Sequence, residues 1–162
     1  MKTLLLLRHA EAAPAGPGLD DHERVLTARG RRQAEAQGRW LARHGPRPAA
    51  VLCSSAARTR ETAALLAAAA DWKLEPCALD ALYDATVTAL LDAVRAIDDG
   101  LDTVLLVGHA PSVPALVSAL VTRGDDLALA CDPATLFRLD CDCGRWTEMA
   151  PRIGTLSLLL PP

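Results

Sequence analysis

Aromatic residues are scarce in this sequence of 162 residues. Phenylalanine, tyrosine and tryptophan together make up 3% of the chain, whereas hydrophobic residues of all kinds make up 51%. This composition is typical of globular proteins, and it requires that aliphatic side chains build the core. The length suits one compact domain that buries well over half of its unfolded surface. We therefore expect a single domain over residues 1–162.

A long hydrophobic run is also missing. The N-terminal stretch MKTLLLL has only four consecutive leucines before Arg8. The apolar region of a signal peptide is longer, and a helix that spans a bilayer needs about 20 apolar residues. We therefore expect a cytoplasmic protein with no membrane partner.

The sequence has no excess of positive charge. Its formal net charge is -3, and the basic residues are scattered over several segments. Proteins that bind nucleic-acid backbones concentrate positive charge on one face. We therefore expect no nucleic-acid partner, and any site for an anion must be local.

The five cysteines show no pairing pattern. Their number is odd, and neither C-x-x-C nor a Cys/His spacing typical of zinc sites occurs. A disulfide scaffold and a structural metal are therefore both disfavoured, and we expect reduced thiols. Cys141 and Cys143 would share one face of a strand. Because free cysteine commonly packs as a small apolar residue, their role stays open.

Short apolar runs alternate with helical segments along most of the chain. Buried strands are predicted at Thr3–Leu7, Ala50–Cys53 and Thr103–Val107, and a weaker strand at Trp72–Pro76. Helices are predicted in four segments: from a Thr27 cap to Gly45, after a cap at Ser54 or Ser55, from Thr86 or Thr88 to Gly100, and after Pro111 at its first position.

The pattern changes after about residue 124. TLFRLD, RWTEM and TLSLLL resemble strands separated by turns, with no helix between them. Antiparallel strands near the C-terminus are therefore expected. Together with the alternation before them, they predict an α/β fold, a three-layer α/β/α sandwich whose central sheet is mostly parallel.

Polar residues directly follow each of the three buried strands. Arg8 and His9 follow the first, Arg58 lies shortly after the second, and His109 follows the third. Ligands of open α/β sheets bind beyond the carboxyl ends of the strands, so these side chains are expected to meet. Two arginines and two histidines at one point would bind a dianion.

Each of these residues also has a structural interpretation when it is taken alone. Arg8 suits a strand end, His9 a hydrogen-bonded structural histidine, Arg58 a solvated helix face, and His109 a turn cap. The joint pattern outweighs the separate interpretations, because it recurs after all three strands.

Four blocks of the sequence resemble the histidine phosphatase superfamily, which is also called phosphoglycerate mutase-like, and within it the short SixA-type phosphohistidine phosphatases. The blocks keep the order of that family and cover roughly residues 1–122. They are LLLLRHAEA, LTARGRRQA, VLCSSAARTRETA and VLLVGHAP.

The resemblance implies a role for each matching residue. His9 would attack phosphorus and carry the phosphoryl group, while Arg8, Arg58 and His109 would bind its oxygens. The chemistry agrees, because a neutral imidazole is nucleophilic near pH 7 and guanidinium groups match phosphate oxygens. Such a pocket requires neither a metal nor another cofactor.

Two further residues are candidates on weaker grounds. Arg24 matches an arginine that SixA-type proteins carry before their L-T-x-x-G block, although Val25 stands where the family often has proline; the alternative is a solvated loop arginine. Asp84 is the nearest candidate for a general acid, and its alternative role is structural, at a turn or helix start. His22 and His44 are expected at the surface.

The substrate follows from the absence of a confident general acid. An alkoxide leaving group needs a proton far more than the imidazole of a phosphohistidine does. We therefore expect a phosphorylated protein as the substrate and partner, ahead of a small phosphate ester. A non-catalytic module that recognises phosphate remains an alternative. A metal site formed by the two histidines is disfavoured, because no carboxylate lies at the spacing of a metal ligand.

Overall fold

A computed structural model describes residues 1–122 and 127–162. In that part of the chain, six strands form one sheet and four α-helices pack on it. The strands are β1 (Lys2–Arg8), β2 (Ala50–Ser54), β3 (Cys77–Leu79), β4 (Thr103–Gly108), β5 (Leu136–Cys141) and β6 (Gly154–Leu160). The helices are α1 (Ala28–His44), α2 (Ala57–Ala69), α3 (Val87–Arg95) and α4 (Ser112–Val121).

The sheet has the strand order β3-β2-β4-β1-β5-β6. The first four strands of the chain pair in parallel, and β5 and β6 pair antiparallel at one edge. Helices α1 and α2 cover one face of the sheet, while α3 and α4 cover the other. The predicted α/β/α sandwich with antiparallel additions is thereby confirmed, whereas the single domain over residues 1–162 stays a prediction.

The four leucines of β1 are divided between the two faces of the sheet. Leu4 and Leu6 belong to the core beneath α3 and α4, and Leu5 and Leu7 to the core beneath α1 and α2. All four are fully buried. Burial of each such side chain contributes about 1.5–3 kcal/mol, so this strand anchors the residues that follow it.

Helix α1 holds the loop that follows β1. The Thr27 hydroxyl accepts a hydrogen bond from the Gly30 backbone N–H at 3.0 Å, which confirms the predicted cap. Gly30 lies so close to the backbone of Glu11 that a Cβ atom there would overlap the Glu11 carbonyl. This close approach fixes the chain just beyond the site residues of β1.

Two predicted strands are wrong. The chain is irregular over 72–76 and pairs only from Cys77, because Pro76 has no N–H to donate to a strand ladder. RWTEM forms a short 3-10 helix, Trp146–Glu148, because the Glu148 carboxylate accepts the backbone N–H groups of Gly144 and Arg145.

Two predicted helix boundaries also differ. No serine caps α2, since Ala56 occupies that position and the Ser54 hydroxyl is directed to His109 instead. Helix α3 ends at Arg95 rather than Gly100, because the Asp98 carboxylate accepts the Gly100 N–H at 2.8 Å and turns the chain.

None of the helices in residues 1–122 and 127–162 combines the length and apolar character that a membrane span requires.

Candidate active site

The carboxyl ends of three adjacent strands form the site. Strand β4 lies between β1 and β2, and the last residue of β1, Arg8, is paired with the last residue of β4, Gly108. His9 and His109 follow these strands directly, and their ring centroids are 5.3 Å apart. Arg58, in the first turn of α2, reaches the same cavity of about 840 Å³.

Backbone hydrogen bonds hold His9 in place. Its N–H donates to the Gly108 carbonyl at 2.9 Å, and the next N–H, of Ala10, donates to the buried Thr62 hydroxyl at 3.1 Å. The imidazole Nδ1 lies 2.7 Å from the Ala10 carbonyl. A carbonyl only accepts, so Nδ1 carries the proton and Nε2 keeps its lone pair.

Both histidines are neutral at pH 7. Burial is the main cause that lowers the pKa of His9 to about 4. The hydrogen bond to Ala10 raises this pKa, whereas the nearby positive charges of Arg58 and Arg8 lower it further. Burial, followed by Arg58, lowers the pKa of His109 to about 4. A neutral imidazole has an unprotonated nitrogen, which is the condition for nucleophilic attack.

These values predict how the two imidazoles titrate. Because the pKa of each is lowered from 6.5 to about 4, both rings stay neutral as the pH falls through 6 and take up protons only near pH 4. NMR spectra of the imidazole groups between pH 3.5 and 8 will show this, with the signals assigned through His9→Ala and His109→Ala variants. Titration of either ring near pH 6.5 would contradict the prediction.

Each of the two arginines is anchored by a backbone carbonyl. The Nη1 group of Arg8 donates to the Cys131 carbonyl at 2.6 Å, and that of Arg58 donates to the Asp21 carbonyl at 2.6 Å. The Nε atoms of both arginines are buried, and neither has a hydrogen-bond partner among the described residues. Buried unpaired donors are costly, and the oxygens of a phosphoryl group match such donors.

Asp21 and Tyr83 complete the wall of the cavity. The Asp21 carboxylate accepts from the Arg24 Nη1 group at 2.7 Å, from the Arg58 Nη2 group at 2.9 Å and from the Tyr83 hydroxyl at 3.0 Å. The Arg24 bond comes first among the causes that hold the pKa of Asp21 well below its usual range. The Tyr83 ring lies edge-on to His109, with centroids 5.8 Å apart.

Comparison with known proteins identifies the family. Residues 4–86 match the sequence profile of the histidine phosphatase superfamily, branch 1. An uncharacterized protein of Mycobacterium tuberculosis is 36% identical over 156 residues, which cover 93% of this chain and 96% of that protein. The chain belongs to the histidine phosphatase superfamily.

Solved structures refine this assignment. A protein assigned as the phosphohistidine phosphatase SixA of Nakamurella multipartitia is 35% identical, with a TM-score of 0.86, covering 99% of this chain and 96% of that one. A second protein assigned as the phosphohistidine phosphatase SixA, from Agrobacterium tumefaciens, is 28% identical, with a TM-score of 0.82. The match covers 99% of this chain and 98% of that one. This histidine phosphatase is therefore of the SixA type, and its class of enzyme is phosphatase.

The residues predicted for the site of this histidine phosphatase meet at one cavity. Its lining includes Arg8, His9, Arg58 and His109, together with Arg24 and Asp84. Arg24 lies beside the site through its hydrogen bond to Asp21. Asp84 is exposed and has a backbone φ of 49°, which agrees with the turn position considered for it.

The expectation for His22 was wrong in part. His44 is exposed, as expected, whereas His22 packs edge-on against Tyr83 with ring centroids 4.8 Å apart. The His22 Nε2 atom also lies 3.0 Å from the Ser55 hydroxyl. His22 therefore packs against Tyr83, which lines the cavity.

Three residues of the site are not identified by the sequence pattern. They are Asp21, Tyr83, whose hydroxyl donates to Asp21, and Ser54, which is predicted as a helix cap but whose hydroxyl lies 2.9 Å from the His109 Nε2 atom. Two signals were available, because Tyr83 is the only tyrosine of the chain and Asp21 precedes Arg24 by three residues.

Proposed function

We propose that this protein is a phosphohistidine phosphatase that forms a covalent phosphohistidine intermediate on His9. The observation that carries the proposal is the hydrogen bond from His9 Nδ1 to the Ala10 carbonyl, at 2.7 Å, because it leaves the Nε2 lone pair for phosphorus. The anchored guanidinium groups of Arg8 and Arg58 beside it support the same conclusion.

The reaction has two steps. First, the Nε2 lone pair of His9 forms a bond to phosphorus while the bond from phosphorus to the substrate nitrogen breaks. That nitrogen keeps the electron pair and takes a proton from water, which becomes hydroxide. A water molecule then attacks phosphorus, the bond to Nε2 breaks with its electron pair returning to Nε2, and the proton that the attacking water loses neutralises the hydroxide as inorganic phosphate leaves. Covalent catalysis of this kind divides one difficult displacement into two easier ones.

The surrounding side chains stabilise the phosphoryl group during transfer. Charge in the transition state spreads over three oxygens, so positioned donors contribute most of the help. Arg8 and Arg58 supply planar forks of N–H donors, and His109 supplies an imidazole at 5.3 Å between ring centroids from His9. Arg24 contributes through Asp21, which its Nη1 group contacts at 2.7 Å.

One of the two carboxylates that line the cavity, Asp21, supports phosphohistidine as the substrate. Asp21 is ionised at neutral pH, because its pKa is held well below the usual range, so it has no proton to give. Asp84 is our candidate for the acid that an alkoxide leaving group would need. An imidazole leaving group requires much less help, and the SixA names of the two solved relatives agree with such a substrate.

A release assay tests the substrate class. Inorganic phosphate is measured with a protein phosphorylated on histidine, with p-nitrophenyl phosphate and with several sugar phosphates at matched concentrations. We expect the highest kcat/KM with the phosphohistidine protein. A higher kcat/KM with a sugar phosphate would instead identify a small-molecule phosphomonoesterase. Binding of the phosphoprotein without release would identify a recognition module.

A further inference from the structure

Asp21 contacts three side chains that line the cavity. Its carboxylate accepts from Arg24, Arg58 and Tyr83, and its backbone carbonyl accepts from Arg58 as well. Asp21 belongs to the short 3-10 helix Asp21–Glu23 in the loop between β1 and α1. Asp21 therefore contacts one neighbour in its own loop, Arg24, and one residue from each of two other segments of the chain, Arg58 and Tyr83.

The hydrogen bonds to Asp21 determine which donors Arg58 has left. A guanidinium group has five N–H donors in one plane. The Nη1 and Nη2 groups of Arg58 each give one of them to Asp21, at 2.6 Å and 2.9 Å. The Nε donor and the second Nη2 donor form the other edge of the guanidinium group. The Nε donor is buried and has no hydrogen-bond partner in the described part of the chain. A phosphoryl group can be bound in a bidentate way along that edge.

Asp21 is itself held from two sides. The Tyr83 hydroxyl donates to the same carboxylate oxygen as Arg58, and the Nη1 group of Arg24 donates to the other oxygen. Arg24 is anchored in turn, because its Nε donates to the Ala13 carbonyl at 2.8 Å. About half of the Asp21 side chain is exposed, so these hydrogen bonds, rather than packing, keep it in place.

We infer that Asp21 is a positioning residue, which orients Arg58 so that one edge of its guanidinium group faces the transferred phosphoryl group, and that Tyr83 and Arg24 hold Asp21 for this purpose. The inference rests on the proposed function, since it takes a phosphoryl group as the anion in the cavity. It gives Arg24 an indirect part in binding, through the Asp21 carboxylate.

An Asp21→Asn variant tests the inference. Asparagine keeps the size of the side chain but lacks the charge, and its NH₂ group repels one of the three donors. We expect the dissociation constant for inorganic phosphate, measured by calorimetry, to rise about tenfold, as expected for the loss of one charge-assisted hydrogen bond. The kcat/KM should fall by at least the same factor, while Tm changes little because the side chain is half exposed.

Asp20→Asn is the matched control. It removes the same charge from the neighbouring residue, and asparagine caps the 3-10 helix as well as aspartate does. Phosphate affinity should stay at the wild-type value in this variant. An Asp21→Asn protein with unchanged or tighter phosphate binding would overturn the inference, since tighter binding would mean that the carboxylate competes with phosphate.

A double-mutant cycle separates positioning from a general structural effect. If Asp21 acts through Arg58, Asp21→Asn will have little further effect on phosphate affinity in an Arg58→Lys background. Equal losses in both backgrounds would contradict the inference. Phosphate titration needs no turnover. A wild-type protein that released no phosphate from phosphohistidine would therefore refute the proposed phosphohistidine phosphatase function, whereas the binding data would still decide the role of Asp21.

Discussion

Replacement of His9 by alanine is expected to abolish the release of phosphate from a protein phosphorylated on histidine and to leave the fold intact. The variant loses the nitrogen that forms the covalent intermediate, and water alone cannot replace an imidazole fixed by the Ala10 carbonyl at 2.7 Å. The fold persists because His9 lies at the cavity rather than in either core cluster. Phosphate release and thermal melting by circular dichroism measure the two effects.

Trapping of the intermediate gives a direct control. Wild-type protein mixed with a substrate labelled with radioactive phosphate, and quenched quickly in alkali, should carry an acid-labile label that His9→Ala lacks. His44→Ala serves as the matched control, because His44 is exposed and lies outside the cavity, and it should be labelled like the wild type. Turnover that survives in the His9→Ala protein would refute the assignment of the nucleophile.

Replacement of Arg58 by lysine is expected to lower kcat/KM about a hundredfold, the usual cost of one lost donor to a charged transition state. Lysine keeps the positive charge but has no planar fork. A single ammonium group cannot donate to the Asp21 carbonyl and carboxylate, as Arg58 does at 2.6 Å and 2.9 Å, and also hold the phosphoryl oxygens in a bidentate way. Steady-state kinetics with the phosphohistidine protein measure the loss.

The matched control is Arg60→Lys. Arg60 lies two residues further along α2 and is exposed, so its replacement should leave kcat/KM at the wild-type value. If Arg58→Lys retained most of the wild-type kcat/KM, positive charge alone would be sufficient at this position. The fork geometry would then have no part in catalysis.

The inner strands of the sheet could be predicted because their signal is local. Strands β1, β2 and β4 are buried on both faces, and such strands are continuous apolar runs that contrast with the polar segments on either side. Parallel strands place their carboxyl ends at one edge of the sheet. The convergence of Arg8, His9 and His109 followed from those two facts.

Segments with weaker patterns were not predicted correctly. RWTEM is predicted as a strand, yet the Glu148 carboxylate accepts hydrogen bonds from the backbone N–H groups of Gly144 and Arg145, and the segment forms a short 3-10 helix. The Trp146 Nε1 group donates to the Leu101 carbonyl at 2.6 Å, a contact between residues 45 positions apart. Periodicity over five residues cannot reveal such a contact, because its partner lies in another part of the chain.

By itself the sequence determined the class of the fold, the order of its inner strands and four helices, and which two imidazoles and two guanidinium groups meet at one cavity. Tertiary structure decided how those groups are held. Arg58 and Tyr83 lie 37 and 62 residues from Asp21, and only the packed sheet and helices bring all three within hydrogen-bond distance. The geometry of the donors depends on distances across the folded chain. Residue types and their spacing along the sequence do not specify these distances.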